Sequence, residues 1–153
     1  MSTVLLQAKE LCLTVPDLAQ KTWFGPAPRK PILHNVSFIL HPGQALGVIG
    51  ESGSGKSSLA RALTMLMPPS SGELLFQGRA VPAMTRAELV AYRTQVQLVF
   101  QDPMSSLNPR KRVGAIVTQP LRVVGQLRDE TRQAHALLER VGLSPSLASR
   151  YPH

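Results

Sequence analysis

Between Gly50 and Ser58 the chain reads Gly-Glu-Ser-Gly-Ser-Gly-Lys-Ser-Ser, directly after the apolar run Ala45-Leu46-Gly47-Val48-Ile49. Gly50, Gly55, Lys56 and Ser57 match the spacing G-x-x-x-x-G-K-[ST]. Residue frequencies put a chance match below about 1% of chains of this length. The pattern has a physical reason. The β- and γ-phosphates of a nucleotide need several backbone N–H groups turned inward, and glycine provides that curvature with no Cβ in the way. A helix starting at Lys56 would add its dipole and its unpaired N-terminal amides. The candidate cradle is therefore Gly50, Glu51, Ser52, Gly53, Ser54, Gly55, Lys56, Ser57 and Ser58. Lys56 is expected to span the β- and γ-phosphates, and the Ser57 hydroxyl to hold Mg²⁺. The competing reading is a plain glycine turn, which explains neither the apolar run before the loop nor the amphipathic pattern after it.

That pattern is Leu59, Ala62, Leu63 and Leu66, one face of a 3.6-residue period. Upstream, Leu5 to Val15 and Leu33 to Leu40 alternate as strands. Between them, Pro16 to Pro31 holds four prolines and the pair Trp23-Phe24, which predicts a long loop. Gln44 to Ile49 is expected to be a strand buried on both faces. Glu73 to Gln77 and Gln95 to Phe100 are predicted strands. Thr85 with Glu88 three residues later has the spacing of a capping box. Helices are predicted over Val113 to Val124 and Glu130 to Val141, the second with Ala134, Leu137, Leu138 and Val141 on one face and Gly142 after its end.

The 153 residues suit one ordinary domain, with 43% hydrophobic and 17% charged residues, both globular values. The single cysteine, Cys12, forms no disulfide framework and fits a reducing compartment. No signal-like start and no membrane-spanning run is visible, so a cytoplasmic chain is expected. The net charge is +8, and eight of the seventeen basic residues lie beyond residue 107 against three acids. That balance points to an anionic partner or to a solvated basic face. The four histidines show no metal-ligand spacing.

The segment Leu98 to Arg110, "LVFQDPMSSLNPR", narrows the reading. With "GVIGESGSGKSSLARAL" and the ending "RYPH", it resembles the ATP-binding subunits of ABC transporters, and among them the oligopeptide, dipeptide and nickel importers. The resemblance extends from Val4 to His153. It implies an α/β P-loop NTPase fold of the ABC ATPase type, incomplete here. That fold would have an antiparallel β-subdomain and partial nucleotide core over residues 1–103, and the start of a helical subdomain over 104–153. It implies ATP and Mg²⁺ as ligands. Gln101 becomes the glutamine that touches Mg²⁺ and the attacking water. A neutral amide suits that role because it both donates and accepts. The rival reading of Asp102 as a metal aspartate at a strand end fails, since Gln97 and Gln101 interrupt the apolar run and Pro103 follows at once.

The family stacks adenine on an aromatic residue upstream of the loop. Trp23 and Phe24 are the candidates, because Tyr92 and Tyr151 lie downstream. The resemblance also implies transmembrane permease subunits and a second ATPase subunit as partners, a peripheral place on the inner face of the membrane, and the Met104 to Gly125 region as the permease contact. The function expected is ATP-driven uptake of peptides or a similar small solute. The alternatives are a nucleic-acid-associated ABC ATPase and a remnant without function. Residues 104–150 carry no aromatics to interleave with their bases, so no nucleic acid is expected.

The family's signature motif, the apolar strand ending in Asp-Glu and the switch histidine all fall after the position of "YPH". The chain alone is therefore expected not to turn over ATP, because positioning and charge stabilisation carry most of phosphoryl transfer. A purified chain hydrolysing ATP faster than roughly 1 s⁻¹, with Lys56→Ala as the control for contaminants, would overturn this expectation.

Overall fold

The computed structural model describes residues 4–20 and 25–152. The chain divides into two compact units, Met1–Leu98 and Val99–His153.

The first unit is built on four antiparallel strands in the order β2-β1-β3-β4, where β1 is Leu6–Pro16, β2 Arg29–Leu40, β3 Ser71–Phe76 and β4 Arg79–Ala80. Leu6 and Ala8 of β1 face the core, and so do Leu11 and Leu13. That change from even to odd positions requires an extra residue. It lies between Ala8, paired with Phe38, and Leu11, paired with Val36. Glu10 absorbs it with a φ of 48°, and its N–H donates to Ser37 Oγ at 2.8 Å. A compensating irregularity on β2 centres on Asn35, φ 47°.

The bulge dictates Gly72 on the neighbouring strand. Its φ is +86°, and a Cβ there would press on the Glu10 carbonyl oxygen and lie 2.7 Å from the Lys9 carbonyl oxygen. Pro31 sits inside β2, a place open to proline because β2 is the edge of this sheet. β1 runs on to Pro16 and β2 starts at Arg29, so the long proline loop is shorter than the sequence predicts, with a 3₁₀ turn over Leu18–Gln20.

Helix α1, Lys56–Leu63, and helix α2, Arg86–Gln95, cover the sheet. Leu59 and Ala62 of α1 and Tyr92 of α2 join Leu6, Leu11, Leu13, Leu33, Leu74 and Phe76 in one core. The expected apolar face of α1 stops short of Leu66, which is 53% exposed. The Thr64 hydroxyl donates to the Ala60 carbonyl at 3.1 Å, and Met65 turns to φ 57°, which ends the helix. Helix α2 has the predicted capping box. The Thr85 N–H donates to Glu88 Oε2 at 2.9 Å, and the Glu88 N–H donates to the Thr85 hydroxyl.

Two predicted strands are absent. Residues 45–49 do not join the sheet, and Ile49 is 98% exposed. Gln95 completes α2, and residues 97–100 have no strand geometry, with Val99 86% exposed. A strand exists only through its ladder partner. Among the described residues no neighbour pairs with either segment.

The second unit is helical. It comprises α3, Pro103–Ser106, α4, Val113–Val117, α5, Gln119–Val123, α6, Glu130–Arg140, and a 3₁₀ turn over Pro145–Ser149. The single helix predicted from Val113 to Val124 is two helices. Pro120 has no N–H to give to the Ile116 carbonyl one turn back, and the Gly114 carbonyl accepts from both the N–H of Thr118, at 3.2 Å, and its buried hydroxyl, at 2.8 Å. Asp129 caps α6 by accepting the Arg132 N–H at 3.0 Å, and Gly142 follows its end at φ 74°. Ala134 and Leu138 are buried as the periodicity predicts, whereas Val141 lies past the helix and is 70% exposed.

Gly72→Ala is expected to destabilise the first unit by about 3 kcal/mol, from left-handed backbone strain together with overpacking against β1. Urea unfolding measures it, and an unchanged midpoint would contradict the packing described. A second expectation concerns pH. The Thr85 N–H, then the Thr85 hydroxyl and the Arg79 guanidinium, lower the Glu88 carboxyl from 4.5 to about 2. A carboxylate with a depressed folded-state pKa stabilises the fold above its unfolded pKa and loses that contribution as the pH falls. Stability should therefore decline as pH drops from about 4.5 to about 2. Glu88→Gln should flatten this decline when urea midpoints are compared across that window.

Candidate nucleotide-binding loop

The loop from Gly50 to Gly55 leads straight into α1. Gly55 takes the N-cap position of that helix at φ 95°, and no side chain caps the helix start. The first helical amides are thus left for a ligand, in line with the excess of donors at any helix N-terminus. The first intrahelical bond runs from the Leu59 N–H to the Gly55 carbonyl at 2.8 Å. Gly53 is also left-handed, at φ 84°.

Three glycines serve three different purposes. At Gly50 a Cβ would reach within 2.8 Å of Ser54 Oγ, across the inside of the loop. At Gly55 it would meet the Ile32 carbonyl oxygen at 3.0 Å and Leu33 Cδ2 at 3.1 Å, so this glycine seats the helix start against β2. At Gly53 nothing lies within 4 Å, and only the backbone conformation calls for glycine.

Lys56 folds over the loop. Its Nζ donates to the Gly50 carbonyl at 2.8 Å, to the Glu51 carbonyl at 2.5 Å and to Ser54 Oγ at 3.4 Å. An ammonium held on the loop's own carbonyls sits where a phosphate chain lying in the loop would meet it. Ser57 is exposed beside it, and Ser58 is half-buried. A glycine-rich loop with no Cβ at Gly50, an uncapped helix start and the Lys56 ammonium on the loop's carbonyls form a donor set that suits a nucleotide phosphate, with the Ser57 hydroxyl available to a magnesium ion.

The remaining candidates are elsewhere. Gln101 is exposed at a bend in the second unit, outside the unit that carries the loop. Trp23 and Phe24 lie outside the described residues. The Ser-Leu-Asn-Pro-Arg string forms an exposed turn in which Asn108 Oδ1 accepts the Arg110 N–H at 3.0 Å. Among the described residues, no cluster of His, Cys, Asp and Glu could hold a metal, and no helix is long and apolar enough to cross a membrane.

Three contacts at the far end of α1 have no signal in the sequence. The Tyr92 hydroxyl donates to the Leu63 carbonyl. Arg93 donates from Nη2 to the Met65 carbonyl at 2.8 Å and from Nε to the Thr64 carbonyl at 3.4 Å. Tyr92 is 1% exposed with its ring edge-on to Phe76, centroids 5.2 Å apart, and burial pushes its hydroxyl up to about 12.

A glycine loop that opens a helix, with a lysine laid over it, places the chain in the class of phosphate-loop proteins. The comparisons with known proteins are more specific. The family model described as ABC transporter matches residues 33–152, and the chain belongs to that family. It is 43% identical over 155 aligned residues to a probable peptide ABC transporter ATP-binding protein (y4tS) of Sinorhizobium fredii, covering 99% of this chain and 43% of that protein. It is 46% identical over 123 residues to the glutathione import ATP-binding protein GsiA of Escherichia coli, covering 79% of this chain and 20% of that protein. The chain thus spans less than half the length of these relatives. Among solved structures, a dimeric ATP-binding cassette in a post-hydrolysis state, bound to ADP and Pi, superposes with a TM-score of 0.69 at 24% identity, covering 96% of this chain and 61% of that one. An ATP-binding subunit of an ABC transporter gives 0.65 at 21%, covering 97% of this chain and 54% of that one. These two likenesses show the fold: an antiparallel sheet with helices, part of the P-loop ABC ATPase architecture.

Gly53→Ala and Gly55→Ala separate the roles of these glycines. Both should pay left-handed strain of about 1–2 kcal/mol. Gly55→Ala should lose more, because the Ile32 carbonyl is backbone and cannot yield. Equal urea midpoints for the two variants would contradict the close approach of loop and β2.

Proposed function

We propose that the chain is the nucleotide-binding part of an ATP-binding subunit in an ABC importer of peptides or a similar small solute. The observation that carries this reading is the Lys56 ammonium fixed over Gly50 and Glu51 at the start of an uncapped helix. ATP would lie with its β- and γ-phosphates against the backbone from Gly50 to Gly55. Lys56 would bridge both phosphates, the amides of Ser57 and Ser58 would point at the chain of oxygens, and the Ser57 hydroxyl would take one coordination position of Mg²⁺. The metal would neutralise charge on the phosphates. Gln101 is proposed, from the family resemblance, as a further ligand of that ion. Trp23 or Phe24 would supply the flat partner for adenine.

The names of the similar proteins, a peptide transporter subunit and a glutathione import subunit, favour small peptidic solutes. The partners proposed are the permease subunits and a second ATPase subunit, at the cytoplasmic face of the membrane. The Met104 to Gly125 region would belong to the surface that meets the permease.

Lys56→Ala is expected to weaken a fluorescent ATP analogue by roughly 1.5–3 kcal/mol, or about 10- to 150-fold, the worth of a charge-assisted contact. Equal binding by variant and parent would remove the loop assignment. Trp23 is the sole tryptophan, so its emission reports adenine stacking directly. Saturating ATP should shift that emission, and an unchanged spectrum in a chain that binds the analogue would exclude Trp23 as the platform.

A further inference from the structure

We propose that Arg93 and Tyr92 of α2 are positioning residues for the phosphate loop, acting through α1. The inference rests on the nucleotide reading above. Helix α1 has eight residues, about two turns and about 12 Å of rise. A helix that short is not stable by itself, because nucleation costs more than two turns of hydrogen bonds return. No side chain caps its start. Its order must come from its buried face and from whatever holds its other end.

That end is held by α2. The last carbonyls of a helix lack intrahelical donors and carry partial negative charge. Tyr92 satisfies the carbonyl of Leu63, the last helical residue, and Arg93 those of the C-cap Thr64 and of Met65 just past the helix. Tyr92 is anchored in the core against Phe76, so its hydroxyl is a fixed point. Arg93 brings a full positive charge to the negative end of the helix, and among the described residues no carboxylate is hydrogen-bonded to it. It thereby stabilises the same amides that face the ligand at the other end. Nucleotide affinity is then set partly by the fraction of molecules in which α1 is intact, since the observed dissociation constant scales inversely with that fraction.

The variants are chosen to spare the core. Arg93 is exposed, so Arg93→Gln removes the charge without opening a cavity. Tyr92→Phe keeps the ring and removes only the hydroxyl. Three readouts are taken on the full chain: the affinity of the fluorescent ATP analogue, the melting temperature, and amide hydrogen exchange. Arg93→Gln is expected to weaken the analogue about five-fold, Tyr92→Phe to weaken it less, and Arg93→Lys to restore part of the loss. Amides from Ser54 to Leu63 should exchange faster in Arg93→Gln, while those of β1 and α6 stay unchanged. A merely structural role would lower the melting temperature with affinity within error of the parent, and that result overturns the proposal. A parent chain that fails to bind the analogue would defeat the nucleotide reading instead. Exchange then decides this inference alone, and unchanged rates from Ser54 to Leu63 in Arg93→Gln would reject it.

Discussion

The candidate site depends on a helix too short to stand alone. Eight residues cannot repay the entropy of their own nucleation, yet the amides at the start of α1 must be fixed before they can hold anything. The rest of the first unit meets this requirement. Leu59 and Ala62 anchor one face in the core, Gly55 lets the helix start lie against β2, and α2 grips the other end through Tyr92 and Arg93. The sheet supports this arrangement from below. Its bulge at Glu10 puts Leu6, Ala8, Leu11 and Leu13 all on the core side despite the change of phase.

Much of this was legible from local chemistry. The loop could be read because phosphate recognition demands particular residues at fixed spacing. The capping box at Thr85 and the stop at Gly142 could be read because each is decided within four residues. Other features were beyond a local reading. Leu5 to Val15 looks like a simple alternation, and the extra residue within it emerges only from the partner strands. Residues 45–49 and 95–100 have strand composition, but strandedness is a property of a pair. The break at Thr118 came from Pro120, visible in the sequence and outweighed by the surrounding apolar periodicity. The clamp on α1 had no signature at all, since a tyrosine and an arginine near the end of a helix are common and only the third dimension aims them at Leu63, Thr64 and Met65.

The two units share the positive charge evenly, nine basic against five acidic residues in the first and eight against four in the second. In the first, Arg79 pairs with Glu88 and Lys9 with Glu73. In the second, among the described residues, Arg122 pairs with Glu130 at 2.9 Å. Exposed pairs of this kind contribute at most about 1 kcal/mol each. The excess positive charge of both units therefore acts at longer range, over about a Debye length of 8 Å at physiological ionic strength.

The glycine at position 72 has a consequence for how this sequence can vary. Its backbone is left-handed and its missing side chain is the space occupied by the Lys9 and Glu10 carbonyls. Every glycine codon begins with the same two bases, and any change in either yields a residue with a Cβ or a stop. Only silent third-base changes leave the bulged pairing of β1 and β3 intact. A single nucleotide triplet outside the loop that would hold the ligand is thereby constrained by packing alone.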